Sequence, residues 1–130
     1  MMNEELFRKL CLEKGIVLTD EQMAQFEQYY KLLVQENEKM NLTAITEKEQ
    51  VYEKHFYDSL TLNKIVDLKQ DLSLVDIGTG AGFPGLVLKI VFPNLKITLI
   101  DSLNKRIEFL KFVINELEFV DNVYCYSLNF

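Results

Sequence analysis

Cysteine is scarce in this sequence, with only Cys11 and Cys125, far apart. Two such residues exclude a disulfide framework, and no metal-ligand spacing exists; both read as small buried thiols. Glycine is scarce too, and unevenly placed: only Gly15 lies outside the stretch from Gly78 to Gly85. Long apolar runs are missing, and none approaches the ~20 residues that a bilayer span needs. Met1-Met2-Asn3-Glu4-Glu5 is acidic where a signal peptide is basic and then apolar, so a cytoplasmic protein with no membrane partner is expected. Asn41-Leu42-Thr43 carries the glycosylation pattern, which means nothing without secretion. Positive charge is short: 14 Lys and Arg stand against 20 Asp and Glu, a net charge of −6. That excludes a broad basic footprint, so any nucleic-acid contact needs a local basic patch. Internal repeats and low-complexity tracts are absent as well.

What is present is a globular chain of 130 residues, 48% hydrophobic, long enough for a real core. Asn3 to Lys14 has the pattern of a short amphipathic helix, with Leu6, Leu10 and Phe7 inward and Gly15 as its stop. Thr19 opens a second helix, and Gln22 completes a capping box. Met23, Phe26, Tyr30 and Leu33 form its apolar stripe, and it ends near Asn41. Thr46 with Glu49 reads as another capping box, opening a third helix to about Asp58. Val51, His55 and Leu62 share one side, and helical turns continue to Val66.

From Leu72 strand and helix alternate. Strands are predicted at Ser73–Ile77, Leu95–Ile100 and Asn122–Ser127, with helices at Pro84–Phe92 and Leu103–Glu118 between them. The second helix has Leu103, Ile107, Leu110, Ile114 and Leu117 as its core stripe. Strands joined by helices lie parallel, with right-handed crossovers. The expected organisation is α/β: a helical region over residues 1–70, then a βαβαβ unit over 71–130.

Leu74 to Gly85 reads as strand, glycine loop, helix. Glycine takes positive φ and lets a ligand approach without meeting a Cβ. Pro84 suits the first turn of a helix, whose free N–H groups and dipole make a positive end. Gly80-Ala81-Gly82-Phe83-Pro84-Gly85 literally matches the dinucleotide fingerprint, which keeps a nicotinamide-dependent oxidoreductase as an alternative. Against it stands Asp76, a carboxylate poorly placed beside a pyrophosphate but suited to a ligand's ammonium group. Asp76 also reads as a loop cap bonding the glycine N–H groups, and the two roles are compatible. Asp101 ends the second strand, where an acid reaches ribose hydroxyls across the crevice; its other reading is a helix N-terminal acid.

Asp76-Ile77-Gly78-Thr79-Gly80-Ala81-Gly82 resembles motif I of the S-adenosylmethionine-dependent methyltransferases. With Phe83-Pro84-Gly85 behind it, the string resembles a narrower family, ribosomal RNA small subunit methyltransferase G, once called glucose-inhibited division protein B. Asn41-Leu42-Thr43-Ala44-Ile45 with His55-Phe56-Tyr57-Asp58-Ser59-Leu60 resembles that family's upstream signature. Leu99-Ile100-Asp101-Ser102-Leu103-Asn104-Lys105-Arg106 resembles its second-strand signature. The resemblance implies N-terminal helices followed by the first half of a Rossmann-like class I methyltransferase sheet, three parallel strands in order 3-2-1.

It also implies S-adenosyl-L-methionine as cofactor, with Gly78 and Phe83 against it; pure core packing is the other reading of Phe83. Loop physics adds Gly80 and Gly82, and Asp76 and Asp101 complete the cofactor set. The implied partner is 16S ribosomal RNA or the small ribosomal subunit, and the full-length family is monomeric. The implied reaction is methylation of guanine N7, an in-line displacement for which the protein supplies orientation and a water-poor site. N7 has a free lone pair and needs no general base, so no catalytic residue is assigned. His55, with Asp58 one helical turn away, is read as structural or substrate-facing. Lys105 and Arg106 read as solvated charge, with phosphate contact as the other reading.

The chain departs from the family pattern at its end. Where an alanine–glutamate pair is expected, Leu128-Asn129-Phe130 stands, and a later arginine has no counterpart. The sequence therefore reads as an N-terminal fragment or frame-shifted product holding part of the cofactor site. Such a piece is expected not to methylate RNA unaided, and to expose a first-strand edge open to self-association. A non-catalytic adenosyl-cofactor-binding module is the third reading.

Overall fold

The computed structural model describes residues 2–119 and 121–129; Met1 and Phe130, named in the terminal stretches above, lie outside the described residues. Helix α1 (Glu4–Glu13) starts at Asn3, whose Oδ1 accepts the Leu6 N–H at 2.9 Å. It ends before Gly15, at φ +80°. Phe7 and Cys11 are its buried residues, and Leu6 and Leu10 pack half-buried at the sides. Burial pushes the Cys11 thiol up to about 12, and that of half-buried Cys125 up to about 11, so both stay protonated at neutral pH.

Helix α2 (Asp20–Met40) opens with the predicted capping box. The Gln22 N–H donates to Thr19 Oγ1 at 3.1 Å, and the Thr19 N–H donates to Gln22 Oε1 at 2.8 Å. Its buried face differs from the expected stripe: Phe26, Tyr29, Leu32 and Leu33 are inside, while Met23 and Tyr30 are only half-buried. The arc takes in Tyr29 because its ring stacks on Phe56, with centroids 5.4 Å apart, while Phe26 packs edge-on against Phe7 of α1 at 5.0 Å. The Tyr30 hydroxyl instead donates to the Thr46 carbonyl at 2.9 Å.

The second predicted box does not form. Helix α3 (Lys48–Gln50) begins after Glu47, with no side-chain cap. It widens at once into a π-helical stretch (Val51–Tyr57), followed by a 3-10 turn (Leu60–Lys64). Wider turns move the buried side to Val51, Tyr52, Phe56 and Leu60, away from the expected Val51–His55–Leu62 line.

Strands β1 (Ser73–Ile77), β2 (Lys96–Asp101) and β3 (Val123–Ser127) form a parallel sheet in the order 3-2-1. Helices α4 (Gly85–Val91) and α5 (Asn104–Glu116) connect them. Every residue of α4 is buried, and Pro84 stands just before its first turn rather than in it. On α5 the buried residues are Ile107, Phe109, Leu110 and Val113, and Leu103 is 41% exposed. Leu103 falls outside the stripe because it is the N-cap, with extended backbone.

Ile97, Leu99 and Asp101 of β2 are buried on one face of the sheet, while Val75, Ile77, Tyr124 and Tyr126 on the other are exposed. The register sets Val75, Thr98 and Tyr124 in one row and Ile77, Ile100 and Tyr126 in the next. Helix α2 reaches across the C-terminal ends of both connecting helices. Gln22 Nε2 donates to the Ile90 and Val91 carbonyls at 2.9 and 3.2 Å, and Gln25 Nε2 to the Leu117 carbonyl at 3.1 Å. Carbonyls at a helix end have no partner within the helix, so these amides satisfy them. Among the described residues no helix is long and apolar enough to cross a membrane.

Candidate functional site

The glycine loop leaves β1 at the C-terminal end of the sheet and folds over the tip of β2. The Gly78 and Thr79 N–H groups both donate to the Ile100 carbonyl, at 2.8 and 3.1 Å. Inside the bend, Asp76 Oδ2 accepts the Thr79 hydroxyl at 2.7 Å and the Gly85 N–H at 3.0 Å. Gly85 opens α4, so Asp76 satisfies a helix-end donor and sets an acid at the positive end of the dipole. Burial pushes the Asp76 carboxyl above its ordinary value, the Thr79 and Gly85 bonds pull it back in part, and the Asp101 charge adds to the rise.

Asp101 is 2% exposed. Its Oδ2 accepts the Gly80 N–H at 2.9 Å; its Oδ1 accepts the Leu103 N–H at 3.1 Å and Arg106 Nη1 at 3.4 Å. Burial pushes this carboxyl up, but the Leu103 and Gly80 N–H groups and the Arg106 guanidinium outweigh it, so it sits below its ordinary value. The two predicted acids thus hold one loop from two adjacent strands.

The loop glycines divide into two kinds. Beside Gly78 and Gly80 an added Cβ would meet nothing within 4 Å, so the chain presents open space there. At Gly82, φ +103°, the same atom would fall 2.5 Å from the Tyr29 hydroxyl and 2.8 Å from Leu86. Gly82 therefore faces the core, and only glycine fits both its conformation and its neighbours. At Gly85 a Cβ would lie 2.4 Å from Leu99 and 3.0 Å from Asp76 Oδ2.

Phe83 sits between two aromatic neighbours. The His55 ring stacks on it at 4.3 Å and 8°, and Tyr29 at 5.6 Å and 30°. His55 Nε2 lies 2.9 Å from Thr43 Oγ1. Burial lowers the His55 pKa, and the Asp58 charge opposes this only in part. Among the described residues His55 and Asp58 share no hydrogen bond or ion pair, but they line one cavity of about 420 Å³ with Lys54, Ser59, Phe83 and Pro84. A larger cavity, about 590 Å³, lies at the opposite end of the sheet near Lys89, Asn94 and Asp121, and touches none of the predicted site residues. Among the described residues no group of His, Cys, Asp and Glu is arranged to hold a metal ion.

Residues 22–126 match the profile of a family described as rRNA small subunit methyltransferase G. The chain belongs to that family. Relatives named ribosomal RNA small subunit methyltransferase G include those of Bacillus thuringiensis (strain Al Hakam), Bacillus cereus (strain AH820) and Bacillus anthracis (strain CDC 684 / NRRL 3495). Each is 53% identical over 126 residues, covering 97% of this chain and 53% of the relative. The chain thus spans about half the length of the curated relatives it matches.

Several residues around the loop were not singled out from sequence. Tyr29 is the clearest: fully buried, it donates its hydroxyl to the Ala81 carbonyl at 2.5 Å. Its signal was present, three residues after Phe26 on the same helical face. The Gly85 N–H bond to Asp76 is the glycine cap read from sequence, whereas Thr79 as a further partner of Asp76 and Thr43 as partner of His55 were not foreseen. Arg106 looked like solvated charge and instead reaches Asp101.

Proposed function

We propose that this chain carries the cofactor half of an S-adenosyl-L-methionine-dependent methyltransferase acting on N7 of a guanine in 16S ribosomal RNA, in the cytoplasm. Residues 1–70 form its helical region and residues 71–130 the first half of a class I methyltransferase sheet. The observation that carries this is Asp76 and Asp101 gripping one glycine loop at the C-terminal end of the sheet, in a chain of this family. A sheet of this kind holds ligands in the crevice beyond the carboxyl ends of its strands.

The residues present fit the cofactor. Open space beside Gly78 and Gly80 leaves room for a ligand against the backbone. Asp101 Oδ2 offers an acceptor beside that space for a ribose hydroxyl, and Asp76 keeps the loop shaped and anionic. Phe83, stacked on the buried Tyr29 ring, supplies an apolar wall. The bound cofactor supplies an electrophilic methyl on a sulfonium; the chain's residues bind, orient and exclude water. His55 and Asp58, on the cavity beside Phe83, face the substrate side. A nicotinamide dinucleotide suits the site less well, because Asp76 already bonds the Gly85 N–H at the helix start where a pyrophosphate would sit.

Calorimetry of the 130-residue chain with S-adenosylmethionine and with NAD separates the two readings. Binding of the first alone is expected, and binding of NAD alone would overturn the proposal. With labelled cofactor and ribosomal RNA, the chain is expected to bind cofactor without turning it over, because the rest of the family's length is needed for the base pocket. Turnover by the 130-residue chain would refute that part only.

A further inference from the structure

We infer that Arg106 is a positioning residue: it commits Oδ1 of Asp101 to the protein and leaves Oδ2 as the single acceptor for a ligand hydroxyl. The inference rests on the reading of Asp101 as a ribose-binding acid given above. An ionised carboxylate offers about four acceptor directions, two on each oxygen. Oδ1 takes the Leu103 N–H at 3.1 Å and Arg106 Nη1 at 3.4 Å, which uses both of its directions. Oδ2 takes the Gly80 N–H at 2.9 Å and has one direction left. Its donor, Gly80, is a residue beside which an added Cβ would meet nothing within 4 Å, so Oδ2 is the oxygen tied to the open part of the loop.

The place of Arg106 in the chain supports the same role independently. It stands in the first turn of α5, where a cation meets the positive end of the helix dipole, and no acid occupies that turn. Helix stability alone would favour an acid there. Arg106 does not pair elsewhere among the described residues; its guanidinium faces the buried Asp101. The arginine side chain is 36% exposed and reaches Asp101 at 3.4 Å, and the Leu103 and Gly80 N–H groups hold the buried carboxylate without it, so its contribution to bare folding stability is small. Its effect falls instead on which carboxylate oxygen is free and on the pH at which that oxygen gains a proton. Lysine keeps the charge but loses the planar fork, so it restores the second effect better than the first.

The test is S-adenosylmethionine affinity against pH, by calorimetry, for the 130-residue chain and its Asp101→Asn, Arg106→Gln and Arg106→Lys variants. Asp101→Asn is expected to weaken binding at least tenfold. Arg106→Gln is expected to weaken it roughly 3- to 10-fold near neutral pH. It should also move the acid limb of the profile to higher pH, with little change in the ligand-free melting temperature. Arg106→Lys is expected to return the acid limb but only part of the affinity. Parent-like binding by Asp101→Asn, or no binding by the parent chain, overturns the ribose reading and this inference with it. If Asp101→Asn loses binding while Arg106→Gln keeps parent affinity and profile, the Arg106 inference alone fails. It fails equally if Arg106→Gln lowers the melting temperature and leaves affinity untouched.

Discussion

The Tyr29 hydroxyl donates to the Ala81 carbonyl, tying α2 to the glycine loop across 52 residues of sequence. Both partners are buried. Burial and the nearby Asp76 charge raise the Tyr29 pKa well above its ordinary value, so the phenol stays a donor at all working pH. Tyr29→Phe leaves the carbonyl without its partner. A loss of about 1–3 kcal/mol of folding stability is expected, read by denaturant titration. A smaller change would mean that the loop is held from the sheet side alone.

Gly82→Ala and Gly80→Ala should part company. At Gly82 the new methyl meets Tyr29 and Leu86 and also sits at φ +103°. Overpacking of this kind costs about 1–3 kcal/mol, with backbone strain of about 1–2 kcal/mol in addition. At Gly80, φ +60°, the methyl points into open space, and only the strain remains. Gly80→Ala is therefore expected to melt nearer the parent but to bind cofactor more weakly. Equal melting temperatures for the two variants would contradict the division of the loop into core and open sides.

Gln22→Ala removes the side-chain half of the capping box and two bonds to the end of α4 at once, while its backbone N–H still donates to Thr19 Oγ1. Thr19→Ala removes the box acceptor but leaves the bonds to Ile90 and Val91 in place. A helix cap is worth about 1 kcal/mol, and each net hydrogen bond about 1 kcal/mol. Gln22→Ala should thus destabilise by about 2–3 kcal/mol and Thr19→Ala by about 1 kcal/mol. Thermal unfolding followed by circular dichroism reads the difference, and the reverse order would discount the contact with α4.

His55 makes stability depend on pH in the mildly acidic range. Its folded pKa lies below the ordinary imidazole value of about 6.5, mainly through burial, against the smaller pull of Asp58. The unfolded chain therefore takes up a proton first. The contribution of His55 is whole above about pH 6.5, falls as pH drops towards its lowered folded pKa, and is level below it. His55→Gln should flatten that part of the stability profile while leaving cofactor affinity unchanged. A pH profile indistinguishable from the parent, or loss of cofactor binding, would count against this placement.

Much of the architecture was legible in local chemistry. The Thr19–Gln22 box, the Gly15 stop, the alternation of strand and helix after Leu72 and the acid–glycine bend at Asp76 each depend on residues a few positions apart. The parallel direction of the strands follows from their helical connections, and the order 3-2-1 is what the family resemblance implied. The buried faces were read less well. Tyr29 replaced Tyr30, and Val113 joined Ile107 and Leu110 on α5, because a helix face is chosen by what packs on it and not by period alone. The π-helical stretch at Val51–Tyr57 shifted the inward side in a way that no 3.6-residue pattern describes.

The sequence by itself determined that a carboxylate and four glycines would bend the chain between a strand and a helix, and that a second acid would end the next strand. Only the tertiary structure decided that Asp101 reaches back to the Gly80 N–H, that Arg106 stands behind it, and that Tyr29 closes the loop from α2. The physical reason is range. Backbone preference and helix capping act within one turn of chain, whereas a buried hydrogen bond between distant segments forms only once packing has excluded water and fixed both partners.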